Sequence, residues 1–584
     1  MTEKEIVNDL SWKIGGEAGM GILNAGMMFA KIAMRGGLFS IAHAIYPSLI
    51  RGGHNHLDVR VNSEKIYSHR KEVNVLVALN KETFDVHKEK LTGGAGVIYD
   101  HDEYPIQESE LPKKDIQLIP IPLLKLSNQF GGRIMRNTVA IGATIALVDY
   151  DLTLFNDILQ QTFAKKGEKV VQDNIGAAKA GYDFVKSTLR HSFKYTLKKE
   201  HQKNFMLISG NEAISLGAVR AGAKFIAAYP MTPASSIMMT LAKWAQQYGI
   251  VVKQTEDEIA AMNMVVGANF AGVRALTATS GGGFSLMVEA FGLAAITEVP
   301  LVVVEAQRPG PATGMATQSG QGDLHFVLHA APDDFPRIVI APGDIIECYQ
   351  EAIRAFNLAE KYQLPVVLLT DKYLGESYWS IEEFDTGKVK IDRGKLLTDE
   401  QAEQQQNYLR YKLTSDGVSP RAIPGQKNCM HTASSYEHNE EGHEDELEEV
   451  RIAMAEKRYK RFEATQKEFS DPELVGDKGA EVTIIGWGST KSGILEAMKS
   501  LKRDKIKVNY LQIKYLSPFP TKKVAEIIKK SKKTALVENN QSGQLGALIK
   551  MHTGLSLDHT ILKFDGRPFF PHEIYDEIKK IVKR

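Results

Sequence analysis

Four short segments carry the residue types with which this chain could do chemistry: Tyr229-Pro230-Met231-Thr232-Pro233, Thr255-Glu256-Asp257-Glu258, Thr279-Ser280-Gly281-Gly282-Gly283 and Gln307-Arg308-Pro309-Gly310-Pro311-Ala312-Thr313-Gly314. Each follows an apolar run that reads as a strand, and in open α/β sheets ligands bind beyond the carboxyl ends of strands. The acids at 256 to 258 offer a carboxyl group whose pKa rises when it is desolvated, the condition for general acid work near neutral pH. Arg308 offers a planar fork that can bond a carboxylate twice. Each segment also has a purely local reading. Thr232 before Pro233 fits an N-cap with proline at the first helical position, and Thr255 with Glu258 fits a capping box. Glu256 and Asp257 would then favour the positive helix end, Arg308 would be a surface ion-pair residue, and the glycines a tight turn.

The elements that must position these segments follow from periodicity. Residues 1–195 open with a strand at Trp12 to Ile14, a glycine turn at Gly15 to Gly21 and a helix from Ile22 to Met34, the start of a doubly wound unit. From 203 to 375, strands at Phe225 to Tyr229, Ile250 to Thr255, Ala275 to Thr279, Leu301 to Glu305 and Pro365 to Leu369 alternate with helices, which predicts a mainly parallel sheet covered on both faces. From 376 to 470 the composition turns polar and reads as a connector, partly helical from Glu448 to Lys467. Residues 471–584 resume the strand and helix pattern as a third, smaller domain. The expected fold is α/β, with three domains that each hold a mainly parallel sheet flanked by helices.

At 584 residues the chain exceeds one hydrophobic core. Lys and Arg number 72 against 71 Asp and Glu, a net charge of +1 that provides no global field for nucleic acid or an anionic membrane. The apolar runs fall short of the roughly 20 residues that span a bilayer, and the amino terminus has acids where an export signal needs an apolar stretch. Two cysteines, Cys348 and Cys429, read as reduced thiols, so a cytoplasmic location is expected.

Together the four segments resemble the pyrimidine-binding domain in the alpha subunit of 2-oxoacid:ferredoxin oxidoreductases. That family's Tyr-Pro-x-Thr-Pro signature stands at 229 to 233, its Gln-x-Glu-x-Glu segment at 254 to 258, its Thr-Ser-Gly-x-Gly-Phe turn at 279 to 284 and its Gln-Arg-x-Gly-Pro-x-Thr-Gly loop at 307 to 314. Residues 1–195 look like the family's gamma domain, with Arg51-Gly52-Gly53 in the expected place. Residues 471–584 are similar to its transketolase-like carboxyl-terminal domain, including Lys514-Tyr515-Leu516-Ser517-Pro518-Phe519-Pro520. The resemblance implies a thiamine-diphosphate enzyme that decarboxylates a 2-oxoacid oxidatively to its acyl-coenzyme A and passes electrons to ferredoxin. It assigns Glu256 to the glutamate that bonds the aminopyrimidine ring, Arg308 and Thr232 to the substrate carboxylate, and Tyr229, Pro230, Ser280 and Gly281 to the cofactor, while Asp257 and Glu258 are expected to be capping or solvated. The fused gamma and alpha order favours 2-oxoglutarate over pyruvate or aryl 2-oxoacids. A non-catalytic scaffold subunit is the rival from another class.

What is missing matters as much. The family holds diphosphate and Mg2+ with a Gly-Asp-Gly segment, which this chain lacks, and an iron-sulfur cluster needs about four cysteines where this chain has two. Both are expected on a beta subunit, in a heterodimer or a pair of heterodimers, with no metal ligands assigned to this chain. Gly16-Glu17-Ala18-Gly19-Met20-Gly21 inverts the dinucleotide-binding spacing, and no acid stands between Phe39 and Tyr46 to hold a ribose, so NAD is not expected. Cys429, His431, His438 and His443 lie at irregular spacing among acids and amides, which reads as a solvated loop. The stretch from Glu437 to Gly442 departs from the family pattern at Asn439, and the loop 315–335 departs from it as well. Both differences bear on substrate identity.

Overall fold

The computed structural model describes residues 5–48, 52–189, 193–201, 204–385, 387 and 389–583; Arg51 lies outside them. Contacts divide the chain into two compact units. The first runs to Ile208 and takes in Ser377–Phe384, and the second holds Ser209–Glu376 with Asp385–Arg584.

The first unit is built on an eight-stranded sheet in the order Gln117–Ile121, Leu91–Asp100, Val73–Ala78, Asp9–Glu17, His54–Asn62, Phe39–Ile45, Tyr378–Glu382 and Phe205–Ser209. Its first four strands are parallel, whereas His54–Asn62 runs antiparallel to both of its neighbours. The sheet is therefore half parallel and half meander. Gly15 and Gly16 do not form the expected turn. They lie inside the strand Asp9–Glu17, paired with His56 and Asn55, and the helix Ile22–Arg35 starts after Gly21 at φ 73°. The helix Arg136–Leu147 is buried almost all round, as its largely apolar run from Val139 to Leu147 requires, and its Gly142 admits the backbone of Ala178.

The second unit contains two sheets. The larger runs Val251–Gln254, Phe225–Ala228, Ala275–Thr279, Leu301–Gln307, Pro365–Asp371, Ile338–Ile340 and Tyr515–Ser517, parallel except for the last strand. The smaller has five strands, with only the edge strand Leu474–Gly476 antiparallel. One core joins the two sheets: Phe284, Val303 and Val339 belong to the same buried cluster as Trp487, Leu511 and Leu536. The residues expected to form a separate third domain are thus part of the second unit.

The expected polar connector is also ordered structure. Tyr378–Glu382 joins the sheet of the first unit, and the remainder packs into the second through buried ion pairs. Glu360 receives Arg274, Arg393 and Arg421, while Glu298 receives Lys457 at 2.6 Å and Arg461 at 2.9 Å from the helix Glu448–Glu463. Its charges are core residues that are paired rather than solvated. Among the described residues no helix is long and apolar enough to cross a membrane.

Candidate functional site

All four segments leave the carboxyl ends of strands that neighbour one another in the parallel sheet, Val251–Gln254, Phe225–Ala228, Ala275–Thr279 and Leu301–Gln307. The strand Ala275–Thr279 delivers Ser280, which opens the helix Gly281–Ile296. The three glycines are therefore the first helical turn rather than a tight turn. Their absent side chains make room for acids. A Cβ on Gly283 would collide with Thr279 Oγ1 and stand 2.5 Å from Glu258 Oε1, and one on Gly281 would stand 2.6 Å from Asp323 Oδ2. Two carboxyl groups thus approach the positive end of this helix, where unpaired backbone N–H groups favour negative charge. The Ser280 hydroxyl is buried with no partner.

Glu258 is 3 % exposed, its Oε1 has no hydrogen-bond partner, and burial raises its pKa against the opposing charge of Arg308. Glu256, two residues earlier, is exposed. Glu258 is therefore neither solvated nor the cap, and the expectation that it is one of these is corrected. The cap of the helix Glu258–Phe270 is Asp257, whose carboxylate accepts from Ala260 N at 2.8 Å. Thr255 does not cap; its hydroxyl donates to the Asp257 carbonyl.

Arg308 is 8 % exposed and is no surface ion-pair residue. Its Nη1 donates to the carbonyl of Thr232 at 2.7 Å, and its Nε is buried with no partner. Burial lowers its pKa, opposed by Asp323, Glu258 and Glu305. Thr232 meets Arg308 through its backbone, not through the hydroxyl expected to bind substrate. It does not cap the next helix either, since Ser235–Tyr248 starts after Ala234. Asn211 steadies this loop, donating to Pro233 O at 2.8 Å and to Ser236 Oγ at 2.7 Å. Tyr229 and Pro230 are exposed at its start.

Three further acids escape the sequence reading. Glu305 is fully buried in the strand Leu301–Gln307, and its carboxyl is hydrogen-bonded to that of Asp323 rather than to a cation. Burial pushes its pKa well up, helped by Asp323 and Asp371. Asp323 is pushed up to about 6 by burial, with Glu305 and Arg308 opposing. Asp371, also buried and raised by burial, ends the neighbouring strand opposite Gln307. Gln307 ties these strands together, donating to Thr370 O and accepting from Asp323 N, both at 3.0 Å. The available signal was Glu305 itself, an acid at the end of the apolar run Leu301 to Val304, since a buried acid not paired with a cation is rare outside functional sites.

The loop holding Cys429, His431, His438 and His443 is not solvated throughout. Cys429 and His438 are buried, His438 lies against the Tyr411 ring at 3.9 Å, and His431 packs edge-on to Phe270 and Tyr408. His443 alone of the four is exposed. They do not converge as ligands; among the described residues the group of three such side chains within reach of one another is His54, His56 and His87.

Comparison with known proteins agrees with this picture. Three family models match: pyruvate ferredoxin/flavodoxin oxidoreductase over residues 11–184, pyruvate flavodoxin/ferredoxin oxidoreductase, thiamine diphosphate-binding, over 216–457, and pyruvate:ferredoxin oxidoreductase core domain II over 480–574. A 2-oxoacid:ferredoxin oxidoreductase subunit alpha from Sulfolobus sp is 34% identical, covering 98% of this chain and 97% of that one. The 2-oxoglutarate synthase subunit KorA of Methanothermobacter thermautotrophicus is 32% identical, covering 64% of this chain and 98% of that protein. A solved 2-oxoglutarate:ferredoxin oxidoreductase from Magnetococcus marinus, with 2-oxoglutarate, coenzyme A and succinyl-CoA bound, superposes with a TM-score of 0.92 at 32% identity, covering 98% of this chain and all of that one.

Proposed function

Because the chain belongs to the 2-oxoacid:ferredoxin oxidoreductase family as an alpha-type subunit, we propose that it supplies the pyrimidine half of a thiamine-diphosphate site that oxidatively decarboxylates 2-oxoglutarate to its acyl-coenzyme A. The observation that carries this reading is the gathering of Tyr229–Pro233, Glu256, Ser280–Gly283 and the buried Arg308 at the carboxyl ends of adjacent parallel strands. When bound, thiamine diphosphate supplies the carbon nucleophile that attacks the keto carbon of the substrate.

In this assignment Glu256, which is exposed where a partner subunit would close the site, takes and returns a proton toward the aminopyrimidine ring. Arg308 holds the substrate carboxylate. Its Nη1 is taken by Thr232 O, which leaves the Nε side of the fork for the two parallel bonds of a carboxylate. Ser280 and Gly281, at the head of the helix, line the cofactor side together with Tyr229 and Pro230.

The diphosphate, Mg2+ and a 4Fe-4S cluster belong to a beta subunit in this reading, with ferredoxin as electron acceptor and a cytoplasmic heterodimer, or pair of heterodimers, as the working assembly. Residues 1–195, 203–375 and 471–584 serve as its gamma, pyrimidine-binding and transketolase-like modules. The elements framing Glu258 leave Met239, Val251, Ile259, Met264 and Leu286 in solvent, apolar surface of the kind a partner covers. The test is a comparison of kcat/KM for 2-oxoglutarate, pyruvate and an aryl pyruvate in the assembled enzyme, with coenzyme A present and absent. A coenzyme A-dependent preference of at least about tenfold for 2-oxoglutarate, some 1.4 kcal/mol, is expected; a preference for pyruvate or an aryl pyruvate moves the substrate assignment, and no turnover of any of the three leaves a scaffold subunit.

A further inference from the structure

The first unit carries three histidines that the decarboxylation chemistry does not use. His54 and His56 stand two residues apart on the strand His54–Asn62, so the period of a strand puts both on one face. His87 ends the helix Lys81–His87 and meets them there. The ring centroids are 5.4 Å apart for His54 and His56, 5.0 Å for His54 and His87, and 4.5 Å for His56 and His87. One ring nitrogen from each residue lies within 4.8 Å of the others. Three imidazoles bound through nitrogen to one tetrahedral ion at about 2.0 to 2.1 Å have ring centres roughly 5 Å apart, so the observed spacing is close to that of a three-histidine site.

The surroundings are shaped for these rings. A Cβ on Gly15 would stand 3.0 Å from His54 Cε1 and 2.7 Å from Thr83 Cγ2, so glycine at 15 lets the ring and the helix lie against the strand. This gives the glycine motif at the amino end a use unrelated to nucleotide phosphate. His56 is 8 % exposed, and its Nδ1 and that of His54 are buried with no partner. The nearby Lys13 is paired with Asp58.

From this geometry we propose that His54, His56 and His87 form a binding site for one divalent transition-metal ion of the zinc class, with water or a small anion as fourth ligand. The ion ties the carboxyl end of the helix Lys81–His87 to the central sheet. Lys90 gates it. Its Nζ lies 3.1 Å from His87 Nδ1, and an ammonium can only donate, so that nitrogen accepts and the proton of neutral His87 sits on Nε2, directed at His54 Nε2 at 2.8 Å. Metal binding moves this proton from Nε2 to Nδ1 and turns the ammonium aside, with no net proton released. Loss of Lys90 therefore favours the ion.

The experiment uses the full chain without an affinity tag, stripped with a chelator and titrated with Co2+ and then Zn2+. One Co2+ per chain is expected, with the strong visible absorption of a four-coordinate ion, displaced by Zn2+. His56→Gln and His87→Gln should each weaken binding by at least about 10²-fold, as large as or larger than the loss of a supporting partner. His54→Gln, at a half-buried position, repeats the test with less risk to folding. The exposed His443→Gln should change nothing, and Lys90→Gln should tighten binding several-fold. Binding that survives the histidine substitutions, the weak absorption of a six-coordinate ion, or weaker binding in Lys90→Gln would each overturn the site and leave the three rings as packing.

Discussion

Glu256→Gln is the substitution on which the assignment of the site turns, with Glu258→Gln as its control. The two residues stand in one short acidic run, yet Glu258 is buried against the start of the helix Gly281–Ile296 while Glu256 faces solvent. Glutamine has the shape of glutamate, so at 258 it fits beside Gly283 without the collision that any larger residue would cause. It also removes a buried acid whose pKa burial raises. Folded-state binding of that proton above the unfolded pKa means stability is lost as pH rises through the folded value, so the amide should hold or raise the melting temperature at pH 7 to 8. Turnover should follow the other residue. A positioned proton donor contributes about 10² to 10⁴ in rate, so kcat should fall by at least about 10²-fold, or some 2.7 kcal/mol in barrier, in Glu256→Gln. Glu258→Gln should stay within about threefold, roughly 0.7 kcal/mol. The assay is 2-oxoacid-dependent reduction of a viologen dye by the chain assembled with its partner subunit, with kcat and KM read separately and assembly checked by gel filtration. If Glu258→Gln is the crippled enzyme and Glu256→Gln is near wild type, the exposed carboxyl is not the working one and the site is misassigned.

Three other outcomes follow from the same geometry. Arg308→Lys keeps the charge but loses the fork, so kcat/KM should fall by about 1 to 3 kcal/mol in parallel for 2-oxoglutarate, pyruvate and 2-oxobutyrate, and Arg308→Ala by more; a drop confined to 2-oxoglutarate would move Arg308 to the side-chain pocket. Gly283→Ala drives a methyl group into Thr279 Oγ1 and Glu258 Oε1, so it should cost about 1 to 3 kcal/mol of stability, measured by denaturant unfolding, and wild-type stability would contradict the close approach of Glu258 to this helix. Glu298 is held down to about 2 by Arg461 and Lys457 despite its burial, so its stabilising effect is present above the unfolded carboxylate pKa of roughly 4.3 and is lost as pH falls toward 2. Glu298→Gln leaves two buried cations unpaired and should cost about 3 to 5 kcal/mol at pH 7 and much less at pH 3, measured by denaturant unfolding at both; an equal cost at the two pH values would remove the ion-pair account.

The strands of the large sheet were legible because their apolar runs are bounded by the very loops that carry the motifs; Ala275 to Thr279 is a strand over those same residues. Ile338–Ile340 is three residues long and too short for periodicity to register, and the helix Ile345–Tyr362 behind it went unread with it. The segment 376–470 misled through composition. Its polar residues look solvated in sequence, but Arg410, Arg421, Lys457 and Arg461 are buried with partners that lie 60 or more residues away in the chain. The site was legible as a set of loops and not as a set of roles. Three consecutive acids at 256 to 258 are equivalent in sequence, and only the direction of the first helical turn decides that Asp257 caps while Glu258 turns inward. The glycines at 281 to 283 read as a tight turn in sequence, but they are a helix start that Asp323 and Glu258 approach from other parts of the chain.

The most direct test of the account is to measure thiamine-diphosphate binding and 2-oxoacid-dependent viologen reduction for the purified chain alone and after addition of the subunit that carries the Gly-Asp-Gly segment and clustered cysteines. The account predicts weak or no cofactor binding and no dye reduction by the chain alone, with both appearing at one partner per chain. Steady reduction of the dye by this chain on its own would contradict it.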